Sequence, residues 1–243
     1  MSALSLSWQA LLWCLLPLLS VILIHLVWLK QDVFELLYAS FRMLIQLVIV
    51  GYCLVWLFDN PNFEIALAIA VFMLVASVWI AIRPLQSSLL SHRATMFCVA
   101  AGLSVSVMSH LVVTLWLILP VEPWYTPSVM IPLMGMYFAN TMNSISLAGE
   151  RYFAEREQGV EPSVAKRQAY KTAMIPQING LLAVGLVALP GMMTGQVLAG
   201  VDPLVAVRYQ ILIMVMILGT SGSGAAVMLS CLEKKESRKT TLE

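Results

Sequence analysis

The chain has 243 residues, of which 60% are hydrophobic and only 11% charged, with 14 Lys and Arg against 13 Asp and Glu. So much apolar surface excludes an ordinary soluble domain, and basic residues scattered over short segments exclude a nucleic-acid-binding face. No loop is long enough to fold separately, so residues 1–243 read as one transmembrane domain of an all-α, polytopic membrane protein.

Seven hydrophobic stretches follow one another at 8–29, 36–58, 63–82, 94–119, 128–148, 172–200 and 204–231. Each is long enough to cross a hydrocarbon core of about 30 Å at about 1.5 Å per helical residue. Lys30, Arg83, Arg93, Arg151, Arg156, Lys166, Arg167, Lys171, Lys234, Lys235, Arg238 and Lys239 fall in alternate gaps or in the tail. The first seven residues and the gaps DNPN (59–62) and VEPWYTP (121–127) carry no Lys or Arg. Basic residues are retained on the cytoplasmic side. The pattern therefore predicts seven helices, an external N-terminus and a cytoplasmic C-terminus, in a multi-pass protein of the inner (plasma) membrane.

The first stretch lacks a positive n-region and reads as a retained helix rather than a signal peptide. Trp8 and Trp28 stand near its ends as interfacial aromatics, and His25 lies near its inner end as a solvated or hydrogen-bonded histidine. In the second stretch Glu35, Arg42, Gln46 and Cys53 fall on one helical stripe, within about 20° of one line. Arg42 lies roughly 10 Å along the helix from Glu35, a depth at which a charge must be paired, face water or snorkel outward. The stripe reads as a translocation path or subunit seam, or as a snorkelling arginine. The third stretch is almost wholly apolar and ends at Arg83-Pro84. The fourth carries Ser104, Ser106, Ser109, His110 and Thr114, with His110 either a hydrogen-bonded structural group or a proton or metal carrier.

The fifth stretch is the most polar. Asn140, Asn143, Ser144 and Glu150 share an arc of about 120° at helical spacing, and that face must meet protein or water. Either it lines a path or it glues helices together. Residues 149–171 form the longest charged connector, with Gly159 and Glu161-Pro162-Ser163 dividing it into two short helical pieces. Ser163 after Pro162 marks a helix start. Arg151, Arg156, Lys166, Arg167 and Lys171 make the connector either a solvated link or a docking surface.

The sixth stretch is interrupted. Pro190 cannot donate to a helix ladder and would clash with the Leu186 carbonyl, so a break is expected at Pro190-Gly191, with 191–200 kinked or re-entrant. Asp202-Pro203 reads as an N-cap followed by Pro at the first helical position. GTSGSGAA (219–226) has the glycines of a phosphate loop but not its lysine, and reads as a small-residue stripe for close helix approach. Cys14, Cys53, Cys98 and Cys231 show no CxxC spacing, and no disulfide framework is expected. A Cys14–Cys53 bridge is the pairing considered, with packing the main role. Met192 and Met193 beside the break, His110, and Asp202 on the outer side are weak metal-ligand candidates. No catalytic motif appears, so the chain reads as no enzyme by itself and carries no cofactor of its own.

Several strings together resemble one family: RMLIQLVIVGY (42–52), IPLMGMYFANTMNSISLA (131–148), AMIPQIN (173–179) and VGLVALPGMMTGQVLAGVDPLVAVRYQI (184–211). They are similar to the FetB-like permeases, membrane subunits of ABC transporters linked to metal export in bacteria, with plant relatives connected to aluminium tolerance. The resemblance covers most of residues 36–225. It implies a homodimeric permease in membrane lipid, export of a metal such as iron, and a separate cytosolic ABC ATPase subunit that binds ATP and Mg. It also implies that the ATPase docks on the 149–171 connector, which here is shorter than usual and lacks a Leu-Gly-Ala segment. Two further readings stand beside it: an ion-coupled secondary transporter using Arg42, His110 and Glu150, and a non-transporting membrane scaffold.

Overall fold

A computed structural model of the protein describes residues 12–13, 15–30, 32–59, 62–85, 87, 89–119 and 121–242, with side chains as far as Arg238. Trp8, Cys14 with its considered bridge to Cys53, and the side chain of Lys239 lie outside the described residues. Helices and turns make up the described chain, with no strand among the described residues.

The chain divides into two compact units. In the first, α1 runs over Leu15–Leu23 and continues as a π-helix over Ile24–Leu29. α2 spans Phe34–Asp59 and opens on an Asp32 cap, whose Oδ1 accepts from Phe34 N at 2.9 Å. Both helices are apolar and exposed along nearly their whole length, and Leu57 is the buried residue of α2.

The second unit holds α3 (Phe63–Ile82), α4 (His92–Val112, continued as a π-helix over Val113–Ile118), α5 (Pro127–Glu157), α6 (Pro162–Ala183), α7 (Gly191–Leu198, apart from Leu198, which groups with the first unit) and α8 (Pro203–Leu242). α5 is its central helix, packed on α3, α4, α6 and α8. Tyr137, Phe138, Ile145 and Tyr152 of α5 are buried there against a core that includes Leu103 of α4 and Met228 and Leu229 of α8. Side chains start the helices. Asn62 Oδ1 accepts from Glu64 N at 2.7 Å, Ser91 Oγ from Ala94 N at 3.3 Å and Asp202 Oδ1 from Leu204 N at 2.8 Å. The Asp202-Pro203 start is thus as the sequence indicates.

Among the described residues, four helices are long and apolar enough to cross a membrane: α2, α3, α4 with its π continuation, and α8. α1 with its continuation is a shorter apolar helix. α5 and α6 have the length, at 31 and 22 residues, but carry too many polar groups to join the four.

The small-residue stripe of α8 does what its composition suggests. A Cβ added at Gly224 would lie 2.5 Å from Thr141 Cγ2, and one at Gly102 would lie 2.7 Å from the Gly224 carbonyl oxygen. α4, α5 and α8 therefore approach through glycine, and Ser106 of α4 donates to the Thr220 carbonyl across the seam. The same closeness corrects the cysteine reading. Cys98 of α4 and Cys231 of α8, 133 residues apart, form a disulfide with a Cα–Cα distance of 5.4 Å, while Cys53 is free and exposed.

Two boundaries differ from expectation. Residues 149–171 are not a connector with short helices of its own: α5 continues to Glu157, and α6 starts at Pro162 and runs unbroken into the sixth stretch, through Pro176. A tight reversal joins them, with Gly159 at φ +83° and Val160 N bonded to the Glu155 carbonyl at 3.1 Å, a pairing that satisfies the last turn of α5. Glu161, not Ser163, caps α6. Likewise α6 stops at Ala183, well before Pro190. The chain turns through Gly185 at φ +82°, and the Ala183 carbonyl accepts from Val187 N at 2.9 Å and Ala188 N at 3.1 Å. Leu186 lies in that turn, so the expected clash with a helical carbonyl does not arise. Pro190 instead precedes α7, its carbonyl accepting from Thr194 N at 3.0 Å.

Candidate functional site

Asn140, Asn143 and Ser144 occupy one turn of α5 facing α6 and α8. With Leu147 of α5, Pro176, Gln177 and Gly180 of α6, and Met214 and Ile217 of α8, they line a cavity of about 230 Å³. Asn140 Nδ2 donates to the Met136 carbonyl at 2.8 Å, and Gln177 Nε2 donates to Ser144 Oγ at 3.2 Å. Pro176 adds no N–H to the α6 ladder and so removes one bond just before Gln177. Three of the residues that the helical arc singles out are thus brought together, joined by Gln177. Its signal was the polar pair following Pro176 in AMIPQIN. Glu150, the fourth residue of that arc, is exposed further along α5 and does not line this cavity.

A second cavity of about 280 Å³ continues along the α6–α8 seam. Leu181, Gly185 and Pro190 line it with Met193 of α7 and Val207, Gln210 and Met214 of α8. Its lining is apolar apart from Gln210, so the helix break creates space but not a polar site. Met214 borders both cavities. Of the residues at the break, Pro190 and Met193 line this cavity, whereas Gly191 and Met192 are exposed at the start of α7.

The charged segments gather at one end of the second unit. The end of α5 carries Tyr152 and Arg156, and both clasp Glu236 of α8: Tyr152 Oη donates to Glu236 Oε2 at 2.6 Å and Arg156 Nε to Oε1 at 2.8 Å. Lys166 of α6 pairs with Glu233, Arg151 with Glu155, and Ser87 donates to Glu157 at 3.1 Å. Lys235 lies over the Phe97 ring of α4, 4.7 Å from its centroid. Burial alone would raise the Glu236 carboxyl, but the hydrogen bonds from Arg156 and Tyr152 and the Arg156 charge outweigh it and hold the group below the usual carboxylate range. Burial, then the bond to Glu236, push the Tyr152 phenol up. Of the five basic residues proposed for docking, Arg156 and Lys166 are therefore tied to α8, while Arg151, Arg167 and Lys171 are exposed. Composition did not single out Glu233 and Glu236, although their three-residue spacing puts them on one helical face.

At the opposite end of α3, Phe63 packs edge-on against Trp124 at 5.6 Å and Tyr125 at 5.9 Å, which ties the start of α3 to the 121–127 turn. His110 is a packed histidine. Its Nδ1 lies 2.9 Å from the Ser106 carbonyl, and its Nε2 would meet a Cβ at Gly219 at 2.6 Å. Asp202 spends its Oδ1 on capping α8. His25 Nδ1 sits 3.0 Å from the Val21 carbonyl. Glu35, Arg42 and Gln46 lie along α2, with Glu35 and Gln46 exposed and Arg42 half-buried. Among the described residues no group of three or more His, Cys, Asp and Glu could hold a metal ion.

The profile described as "Uncharacterised protein family (UPF0014)" matches residues 7–236. The chain belongs to the UPF0014 family. It is 40% identical over 206 residues to "UPF0014 membrane protein slr1647" of Synechocystis, covering 77% of each chain. It is 29% identical over 202 residues to "Probable iron export permease protein FetB" of Escherichia coli, covering 77% of this chain and 75% of that one. It is 27% identical over 202 residues to "Protein ALUMINUM SENSITIVE 3" of Arabidopsis thaliana, covering 77% of this chain and 71% of that one. No solved structure matches the chain. The resemblance carried by the LPGMMTGQ and GMYFANTMNSISL strings is that of a UPF0014 membrane protein; Leu189, Pro190 and Met193 of the first line one cavity, and Asn140, Asn143, Ser144 and Leu147 of the second line the other.

Proposed function

We propose that this UPF0014 chain is the membrane-spanning permease subunit of an ATP-driven exporter of a metal such as iron. The observation that carries the reading is the polar cavity of Asn140, Asn143, Ser144 and Gln177 on helices that continue into the charged hairpin. Asn140, Ser144 and Gln177, buried or half-buried, with the exposed Asn143 beside them, line a seam that is otherwise apolar, and such groups serve a polar solute better than they serve packing, since each is costly to hold in hydrocarbon. The relative named for iron export supports the cargo class.

In this reading the chain crosses the inner membrane seven times, with α1, α2, α3, α4, α5, α6 with α7, and α8 as its spans, the N-terminus outside and the charged ends of α5, α6 and α8 in the cytoplasm. A second copy completes the permease. A cytosolic ABC ATPase, binding ATP and Mg, docks on Arg151, Arg167 and Lys171, and the permease itself performs no covalent chemistry. Because α5 and α6 run without a break from the hairpin to the cavity, a push on the hairpin reaches Asn140 and Gln177 through rigid helices.

The test is purification from gently solubilised membranes. An ATP-hydrolysing subunit should copurify, and Arg167→Glu with Lys171→Glu should abolish stimulated hydrolysis while insertion stays normal. Ion flux in vesicles driven by a proton gradient with no ATPase present would replace this reading with a secondary transporter, and absence of any flux would leave a scaffold.

A further inference from the structure

We infer that Cys98 and Cys231 are a reversible thiol–disulfide pair, closed by a peroxide and reopened by a cytoplasmic dithiol, and that the closed bridge arrests movement of α8 against α4. The inference rests on the proposed orientation, with the charged end of α8 in the cytoplasm.

A mismatch between place and chemistry carries it. Cys231 stands two residues before Glu233, at the charged end of α8. Its partner Cys98 lies on α4 six residues, about 9 Å, from the helix start at His92. Glutathione and thioredoxin keep cytoplasmic thiols reduced, and the disulfides that do form there are usually transient and catalytic or redox-sensing. A bridge at this end is therefore a state that the chain enters under oxidation rather than a permanent staple.

Burial orders the steps. Cys98 is fully buried, whereas Cys231 is half-buried and three residues before the exposed Lys234. Cys231 is the sulfur that a small peroxide from the water side meets first. Its sulfur attacks one peroxide oxygen, the O–O bond breaks, an S–O bond forms, and a sulfenic acid and one water result. Cys98 then attacks that sulfur. The S–S bond forms, and hydroxide leaves and takes the Cys98 proton as a second water. The two sulfurs lose two electrons and the peroxide gains them. A dithiol reverses the bridge by exchange through a mixed disulfide.

The bridge also sits where a push would pass. Glu233 pairs with Lys166 of α6, and Glu236 with Tyr152 and Arg156 of α5, so a displaced α5–α6 hairpin pulls on α8. On its other side α8 meets α4 through Gly102 and Gly224, through Ser106 on the Thr220 carbonyl, and through Lys235 over the Phe97 ring. Those contacts break and re-form as helices shift. A covalent tie does not.

The experiment uses the full chain with Cys14→Ser and Cys53→Ser, which leaves the pair as its remaining cysteines. Membranes are acid-quenched, denatured and alkylated with a maleimide-linked polyethylene glycol. Two adducts are expected from freshly harvested cells, none after brief hydrogen peroxide, and two again after dithiothreitol. With Cys98→Ala, peroxide should leave a sulfenic acid on Cys231 that dimedone traps. With Cys231→Ala, Cys98 should react far more slowly. Stimulated ATP hydrolysis by the purified complex should fall to its unstimulated level on oxidation and return with dithiothreitol, and the doubly substituted Cys98→Ala, Cys231→Ala complex should be insensitive. Thiols that peroxide leaves unbridged would overturn the inference, as would a bridge already closed at harvest that dithiothreitol does not open in intact membranes. Full stimulated hydrolysis by the oxidised complex would overturn it too. The thiol measurements need no ATPase, so they decide the redox pair even where the permease reading fails. Impermeant labelling of Lys171→Cys in the chain without the pair tests the orientation on its own.

Discussion

Glu236 is where charge, burial and helix packing meet in one side chain. Its carboxylate takes hydrogen bonds from Tyr152 and Arg156, which ties α8 to the end of α5. Because its folded pKa is depressed from 4.5, the stability it contributes is complete above that value and is lost as pH falls through the lower folded value. Thermal unfolding of the purified protein should therefore drop as pH falls from about 4.5, and Glu236→Gln should lower the melting temperature at neutral pH and flatten this acid-side slope. Gly219 offers a second residue-scale test. A methyl there would collide with His110 Nε2, so Gly219→Ala should destabilise by about 1–3 kcal/mol, and His110→Ala in the same chain should relieve part of that cost. A double-mutant cycle measures the coupling. No reading of the sequence could pair these two positions, because residues 110 and 219 meet only when α4 packs on α8.

At the scale of elements, the break in the sixth stretch separates what local rules can see from what they cannot. Pro190 is a helix breaker by its chemistry, yet α6 has already ended at Ala183, and the left-handed residue is Gly185. Pro190→Ala should accordingly leave helicity and melting temperature nearly unchanged. Gly185→Val should destabilise the turn by about 1–2 kcal/mol, the cost of a left-handed backbone for a side chain with Cβ. Circular dichroism and thermal melting of the two variants distinguish a break set by Pro190 from one set by Gly185. The hairpin teaches the same lesson in the other direction. Gly159 and Pro162 are visible punctuation, but their role is to join two long helices rather than to separate short ones, since α5 and α6 each run on beyond the hairpin and pack against one another.

At the largest scale, part of the basic pattern, Arg156 and Lys166, joins a charged grouping within the second unit. Ser87, Glu157, Arg156, Lys166, Glu233 and Glu236 come together at one end of the second unit, and Phe63, Trp124 and Tyr125 at the other end of α3. In membrane vesicles of known sidedness, a single cysteine replacing Lys171 should react with an impermeant thiol reagent only from the cytoplasmic face, and one replacing Trp124 only from outside. The opposite labelling would reverse the proposed orientation and remove the docking surface with it.

The sequence by itself determined the solvent for this chain, its helical class and the polar face of α5. Those properties follow from hydropathy, from helical periodicity and from the cost of leaving asparagine in lipid, all of which act over one or two turns. It also determined the family, because the LPGMMTGQ and GMYFANTMNSISL strings are contiguous. Only the tertiary structure decided what that polar face meets. Gln177, Met214, the Glu236 clasp and the Cys98–Cys231 pair are separated from their partners by long stretches of chain. Their proximity is set by which helices interlock at Gly102, Gly219 and Gly224, a matter of van der Waals fit between distant surfaces that no local pattern encodes.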